Sequence, residues 1–356
     1  MPQKKAVVIC NSCVILMTCA YLQIKREDID ERLKGGAVIA CRLRNSRIKA
    51  KQVAIMEMYM SLLPFNGIFI ANGPLSDTKG FICFMAAKSH IGMLANVLSG
   101  IGYCEEFYII DFDEANEDRN DQPTVGKWKG KQFRMRELLR QDRGIYDAQS
   151  PHNRPFIISD EQGEKHNIIG YRGDGSRLGR RALPVEDCRC LVNLAIPGSM
   201  KHMADPFAGA GGIVCAARHI NPNIQITTVD IDPILAPGLE MYGANHFIGD
   251  AAQVKLSREY DALVTEIPFD PQSTPSVLAG LRNFIGCLGS KGNVSIMCSV
   301  SQFDTVRQFI METGMNIYCA HKINRKGADV AIIAATRDDV LFQKIAPLVE
   351  RVSTIY

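Results

Sequence analysis

Apolar and polar residues alternate along the chain in two different rhythms. Up to about residue 112, short apolar runs alternate with segments of helical spacing. Ala37–Leu43 reads as a strand, Ala54–Leu63 as a helix rich in Met and Ala, and Gly67–Ala71 and Phe81–Ala86 as strands. Ile91–Ile101 reads as a helix and Glu106–Asp111 as a strand again. This pattern predicts a small α+β domain. A ferredoxin-like topology fits it, and the pattern leaves the strand order open. From Pro155 onward the rhythm changes. Phe156–Ser159 and Ile168–Tyr171 predict a hairpin, and Val185–Ala195 a helix. From Met203 to the end, strands and helices alternate, the signature of a parallel sheet with helices on both faces.

Between the two stretches the charge pattern dominates. Asp111 to Asp121 holds six acidic residues. The next segment is basic, with Lys127, Lys129, Lys131, Arg134, Arg136, Arg140 and Arg143 around the single tryptophan, Trp128. Residues 113–154 therefore read as a charged linker followed by a partly helical connector. The connector is either a solvated surface or a phosphate-binding arm with an aromatic for stacking. The division is 1–112, an N-terminal α+β domain for acceptor binding or dimerisation; 113–154, the connector; and 155–356, an α/β domain.

Composition narrows the picture only slightly. A chain of 356 residues with 46% hydrophobic and 22% charged residues has room for two or three domains of roughly 100–200 residues each. A net charge of +3 argues neither for nor against nucleic acid, so local clusters must carry that case. The twelve cysteines are scattered; Cys10 and Cys13 form a pair, but no second pair completes a zinc set. No metal is expected, and free thiols suit a reducing cytoplasm. Ala6 to Leu22 is apolar and follows Lys4 and Lys5, as a signal segment would. Asn11, Ser12 and Thr18 interrupt it, and Val7, Val8, Ile9, Val14, Ile15 and Leu16 suit a buried strand, so no membrane span is expected.

The chemistry concentrates between residues 203 and 269. Met203-Ala204-Asp205-Pro206-Phe207-Ala208-Gly209-Ala210-Gly211-Gly212-Ile213-Val214 is a short strand, a glycine-rich turn and the start of a helix. Glycines at such a turn let the backbone bend sharply and let a ligand approach it closely. Three further strand ends carry acids. They are Thr227-Thr228-Val229-Asp230, Phe247-Ile248-Gly249-Asp250 and Tyr260-Asp261-Ala262-Leu263-Val264-Thr265-Glu266, the last followed by Ile267-Pro268-Phe269. Polar groups at successive carboxyl ends of parallel strands make a ligand crevice. Taken singly, Asp230 and Asp250 are equally explained as turn or helix caps; in this order, together, they are not.

These residues resemble the class I S-adenosylmethionine-dependent methyltransferases. The resemblance is to the group with D-P-F-x-G-x-G-T and (D/N/S)-P-P-(Y/F) motifs, which methylates exocyclic amino nitrogens of bases. Among these it points to the tRNA guanosine-N2 methyltransferases, often linked to an RNA-binding THUMP domain. Asp205 to Gly211 matches the first motif, and Leu191-Val192-Asn193-Leu194-Ala195 is similar to the helix before it. The resemblance covers about residues 175 to 340. It implies a Rossmann-like sheet ending in an antiparallel hairpin, here Asn316–Ile323 and Asp329–Thr336, which a nicotinamide-type Rossmann domain does not require. It implies S-adenosylmethionine as cofactor, with Asp205, Gly209 and Gly211 at its methionine end, Asp230 at its ribose and Asp250 at its adenine, and with Phe207, Ile231 and Ala251 also in the cofactor site. It implies catalytic roles for Glu266, Pro268 and Phe269; the basic run Arg177, Arg180 and Arg181 is, from its charge, a candidate for binding the acceptor.

Two positions depart from the group. Gly212 replaces a threonine, and Glu266-Ile267-Pro268-Phe269 stands where D/N-P-P-Y is expected. Residues 1–150 carry no complete THUMP signature. Three readings therefore stand: an RNA methyltransferase acting on tRNA; a methyltransferase for a small molecule or peptide, with the N-terminal domain covering the site or forming a homodimer; and a non-catalytic module that binds cofactor or RNA.

Overall fold

A computed structural model describes residues 20–22, 36–63, 68–70, 80–111, 124–128, 131–140, 155–159, 165–169, 183–195, 198, 200–256, 259–325 and 328–354. The apolar segment before residue 20 and the arginines at 177, 180 and 181 lie outside these residues.

The N-terminal unit contains β1 (Ala20–Leu22), β2 (Gly36–Leu43), α1 (Lys51–Leu62), β3 (Ile68–Ile70), β4 (Phe81–Ala87), α2 (Ile91–Ser99), β5 (Cys104–Asp111), β6 (Thr124–Trp128) and β7 (Lys131–Arg140). They form one sheet in the order β1-β3-β4-β2-β5-β7-β6. Its centre, β3-β4-β2-β5, is antiparallel throughout, with α1 following β2 and α2 following β4. That is the split βαβ arrangement of ferredoxin-like folds, and it settles the order left open by the pattern.

The connector departs from expectation. Lys131–Arg140 is a strand, not a helix, and pairs antiparallel with β5. The alternation of Phe133 and Met135 with Gln132, Arg134 and Arg136 has a period of two. A register shift opposite Phe107 and Tyr108 then offsets Leu138 and Leu139, which hides the period. The strand also satisfies the backbone edge that β5 would otherwise expose.

The second half begins with a separate hairpin, β8 (Pro155–Ser159) and β9 (Lys165–Ile169). It continues with α3 (Val185–Ala195), β10 (His202–Asp205), α4 (Gly212–Ile220), β11 (Gln225–Asp230), α5 (Ala236–Met241), β12 (Asn245–Ile248), β13 (Tyr260–Glu266) and α6 (Thr274–Gly286). It closes with β14 (Leu288–Ser299), α7 (Phe303–Glu312), β15 (Asn316–Arg325), β16 (Ala328–Thr336) and α8 (Asp339–Thr354). The sheet order is β12-β11-β10-β13-β14-β16-β15. β10 to β14 are parallel, and β16 runs antiparallel between β14 and β15. The order reverses at β10, so β10 and β13 diverge at a switch point where a crevice opens at the carboxyl edge.

Helix α1 explains how the two halves meet. Every residue from Val53 to Met60 is buried, because α1 packs on α3 and β15 of the second half and shares one apolar cluster with Ile39 and Phe84 of its own sheet. Its one acid, Glu57, accepts from the backbone of Gly102 (2.5 Å) and Tyr103 (3.0 Å) and from Asn193 of α3 (2.8 Å). Nearby, the guanidinium of Arg47 meets both oxygens of Asp187 at 2.8 Å, and the Tyr103 hydroxyl donates to the same carboxylate at 2.9 Å. Asp187 is fully buried, so this pair is held by geometry and hydrogen bonds that offset its lost hydration. One apolar cluster runs through both units, from Ile39 and Phe84 to Leu191 and Val214; a second, around Leu263, Phe284 and Ile310, fills the opposite face of the second sheet.

Candidate active site

The strand ends bring the sequence-predicted acids to one edge. β10 ends on Asp205, β11 on Asp230 and β13 on Glu266, while Asp250 follows β12 after Gly249. The glycine turn after β10 needs residues without a side chain. Gly209 and Gly211 take φ of +50° and +84°, a left-handed region that costs other residues. At Gly211 an added Cβ would also press to 3.0 Å from Leu239. At Gly209 nothing lies within 4 Å of that position, so the turn faces open space where a ligand can approach the backbone. The Gly209 amide donates to Asp230 Oδ2 (2.8 Å) and the Ala208 amide to the Val229 carbonyl (3.0 Å), which locks the turn to the end of β11.

Asp205 is the most constrained acid. Its side chain is fully buried; Oδ1 accepts from the Thr265 hydroxyl (2.7 Å) and the Phe207 amide (3.3 Å). Its Oδ2 is buried with no partner. Burial pushes the carboxyl up to about 7 against those two hydrogen bonds, and the charges of Asp230 and Glu266 push the same way. A buried carboxylate oxygen left unsatisfied is costly, and a cationic donor entering from the crevice would relieve it.

Asp230 Oδ1 accepts from the Asp232 amide (3.0 Å), and the Gly249 amide donates to the Asp230 carbonyl (2.9 Å). Ile231, next to it, stands 75% exposed at the crevice edge. Asp250 is exposed and caps its own turn through the Ala252 amide (2.9 Å). Ala251 is buried, and Asn283 of α6 donates to its carbonyl (2.8 Å). Gly280 lets α6 approach: a Cβ there would meet Ala251 at 2.9 Å and Phe207 at 3.1 Å.

The last motif differs from the group in a way the backbone explains. Glu266 pairs with Met297 in strand register, and the Ile267 amide donates to the Met297 carbonyl (2.9 Å). A proline at 267 has no such proton, so the pairing runs one residue further and the turn begins at Pro268. Pro268 is exposed and Phe269 half-buried.

Three residues contribute that the sequence reading did not single out: Thr265, which holds Asp205; Gly280, which admits Phe207 and Ala251; and Gln302. The Gln302 amide donates to the Pro268 carbonyl (2.9 Å). A polar residue at the end of an apolar strand, and a glycine inside a helix, were the available signals.

The antiparallel strand β16, inserted between β14 and β15, separates this sheet from nicotinamide-binding Rossmann domains. The second half has the class I methyltransferase fold. In sequence, the chain is 33% identical over 88 residues to the tRNA (guanine(10)-N2)-dimethyltransferase of Methanothermobacter thermautotrophicus, a match that spans 23% of this chain and 26% of that protein. No family model matches the chain. Among solved structures, TrmN from Thermus thermophilus is similar with a TM-score of 0.43 and 12% identity, over 84% of this chain and 99% of that one. The N-methyltransferase NodS from Bradyrhizobium japonicum is similar with a TM-score of 0.38 and 14% identity, over 46% of this chain and 92% of that one. Among the described residues, no helix is long and apolar enough to cross a membrane, and no group of His, Cys, Asp and Glu could hold a metal ion.

Proposed function

We propose that the chain is an S-adenosylmethionine-dependent methyltransferase whose acceptor is an amino nitrogen of an RNA base, in tRNA. The observation that carries the cofactor reading is the orphaned, buried Asp205 Oδ2 beside an open glycine cradle. The α-ammonium of a sulfonium-bearing amino acid has the donors that this oxygen lacks. Asp230 would hold the ribose and Asp250 the adenine, with Ile231 and Ala251 beside them.

When bound, the cofactor supplies an electrophilic methyl group on a positively charged sulfur. The chain's part is to align and to exclude water. Glu266 accepts a hydrogen bond from the acceptor's amino group and takes its proton as the new N–C bond forms. Phe269 packs on the base, with Pro268 shaping the turn that presents it. Arg177, Arg180 and Arg181, with the basic residues from Lys127 to Arg143, grip phosphates. The tRNA assignment is supported by the motif at Asp205–Gly211 and by the curated relative that matches over 88 residues.

A methyltransferase for a small molecule or peptide is favoured by one observation: Ile267 extends the strand and shifts the turn relative to the base-methylating motif. Transfer of radiolabelled methyl to unmodified tRNA, with a deproteinised small-molecule extract in parallel, separates the two. Label in tRNA is expected. Label confined to the extract overturns the RNA acceptor, and failure to bind the cofactor overturns the whole reading.

A further inference from the structure

Gln302 sits where β14 has ended and α7 begins, and it is 2% exposed. Its Oε1 accepts from the Ser299 amide (3.2 Å) and hydroxyl (2.9 Å), both on its own turn. Its Nε2 crosses to the neighbouring loop and donates to the Pro268 carbonyl (2.9 Å), with the Thr274 hydroxyl at 3.2 Å and the Asp270 carbonyl at 3.5 Å. One side-chain amide therefore ties the turn after β14 to the loop between β13 and α6. Among the described residues, it is the only side chain that hydrogen-bonds the backbone of Pro268.

Few hydrogen bonds otherwise hold the loop there. Ile267 is fixed by the Met297 carbonyl, and Asp270 begins a local turn through the Gln272 and Ser273 amides. Between them, Pro268 has no amide proton, and Phe269, half-buried, is held by packing against the edge of the apolar cluster. The chemistry of the tie is directional. Two carbonyls face Nε2, so only a donor fits there; a carboxylate would bring a third oxygen against them.

We propose that Gln302 is a positioning residue of the acceptor site: it holds Pro268 and Phe269 in the place from which Phe269 meets the acceptor beside Glu266. The role of that loop rests on the methyltransferase reading above; the tie itself does not. A reaction centre tolerates little looseness in such a loop, because small displacements of a positioning group cost large factors in rate. The hydrogen bonds of Gln302 go to Ser299, Pro268, Asp270 and Thr274 and not to the glycine turn, so cofactor binding is expected to be left untouched.

The test uses the full chain with Gln302→Met, which keeps length and bulk, and Gln302→Glu, which keeps shape and reverses the donor. Ser299→Ala, which removes one of the bonds that orient the amide, is the milder third variant. Hydrogen–deuterium exchange of the Ile267, Gln272 and Ser273 amides, whose hydrogen bonds bracket the loop, is read without cofactor, and S-adenosylhomocysteine binding is read by calorimetry. Methyl transfer to unmodified tRNA is then split into kcat and KM. Exchange at Ile267, Gln272 and Ser273 rising tenfold or more in both Gln302 variants, and less in Ser299→Ala, is expected. S-adenosylhomocysteine affinity should stay within twofold, with kcat down at least tenfold. Unchanged exchange, or kcat equal to wild type in Gln302→Glu, overturns the proposal. Wild-type protein that fails to bind S-adenosylhomocysteine overturns the cofactor reading instead, and the exchange comparison still decides whether Gln302 holds the loop.

Discussion

Lowering the pH from about 7.5 to about 5.5 should release the cofactor, and Asp205 is the reason. Burial holds its carboxyl at about 7, and its free oxygen is the proposed seat of the α-ammonium. Binding needs the carboxylate, so below about 7 each pH unit weakens affinity roughly tenfold, or about 1.4 kcal/mol. Across the whole interval the loss is roughly 25-fold. Titrating S-adenosylhomocysteine by calorimetry at several pH values reads it directly. The range stays below about 8, where the ligand's own amino group begins to lose its proton. Stability of the ligand-free protein runs the other way. Folding raises the Asp205 carboxyl from 3.8 to about 7, so the native state holds the extra proton between those values. The associated stability is complete below about pH 4 and lost as pH rises through about 7. Asp205→Asn removes the buried charge. It should stabilise the ligand-free protein at pH 8 by on the order of 2–4 kcal/mol, while abolishing the pH dependence of binding. An affinity that is flat over the interval, or Asp205→Asn binding as tightly as wild type, would refute the assignment.

Other perturbations test the rest of the site and its support. Gly211→Ala forces a side chain into φ +84° and against Leu239. A loss of about 1–2 kcal/mol in thermal or urea melts is expected, with weaker cofactor binding. Arg47→Met strands the fully buried Asp187 and should cost about 3–5 kcal/mol, while Arg47→Met with Asp187→Leu should recover most of it; equal losses in the single and double variants would show that the pair is not coupled. Glu266→Ala should bind S-adenosylhomocysteine normally and lose methyl transfer by about 100-fold or more, and unaffected transfer would remove Glu266 from the chemistry.

The sheet of the second half was legible because its central strands are buried on both sides and punctuated by turns. Helix Val185–Ala195 coincides with its expected span, as do the ends of β10, β11 and β13 that carry the acids. What escaped the sequence depended on partners distant in the chain. Lys131–Arg140 has a mixed period that only pairing with β5 resolves. Helix α8 at the end of the chain was not anticipated, and Pro347 within it obscures the helical spacing. The site residues Thr265 and Gln302 carry no pattern of their own; each matters through a partner 60 or 34 residues away. The order of the N-terminal sheet was equally silent, since local alternation does not say which strands become neighbours.

Gly102 carries a consequence for how this molecule could be taken apart. A Cβ there would fall 2.0 Å from the Glu186 carbonyl, so the loop after α2 rests backbone to backbone on the start of α3. A fragment cut at residue 155 would keep α3 but lose its lid, leaving Asp187 and Asn193 without the partners that justify their presence inside a protein. The seam between the halves is thus not a hinge between exchangeable cassettes. A chimera that grafts another N-terminal unit onto this catalytic half would have to bring its own version of α3, or supply a glycine, an arginine and a glutamate at matching places.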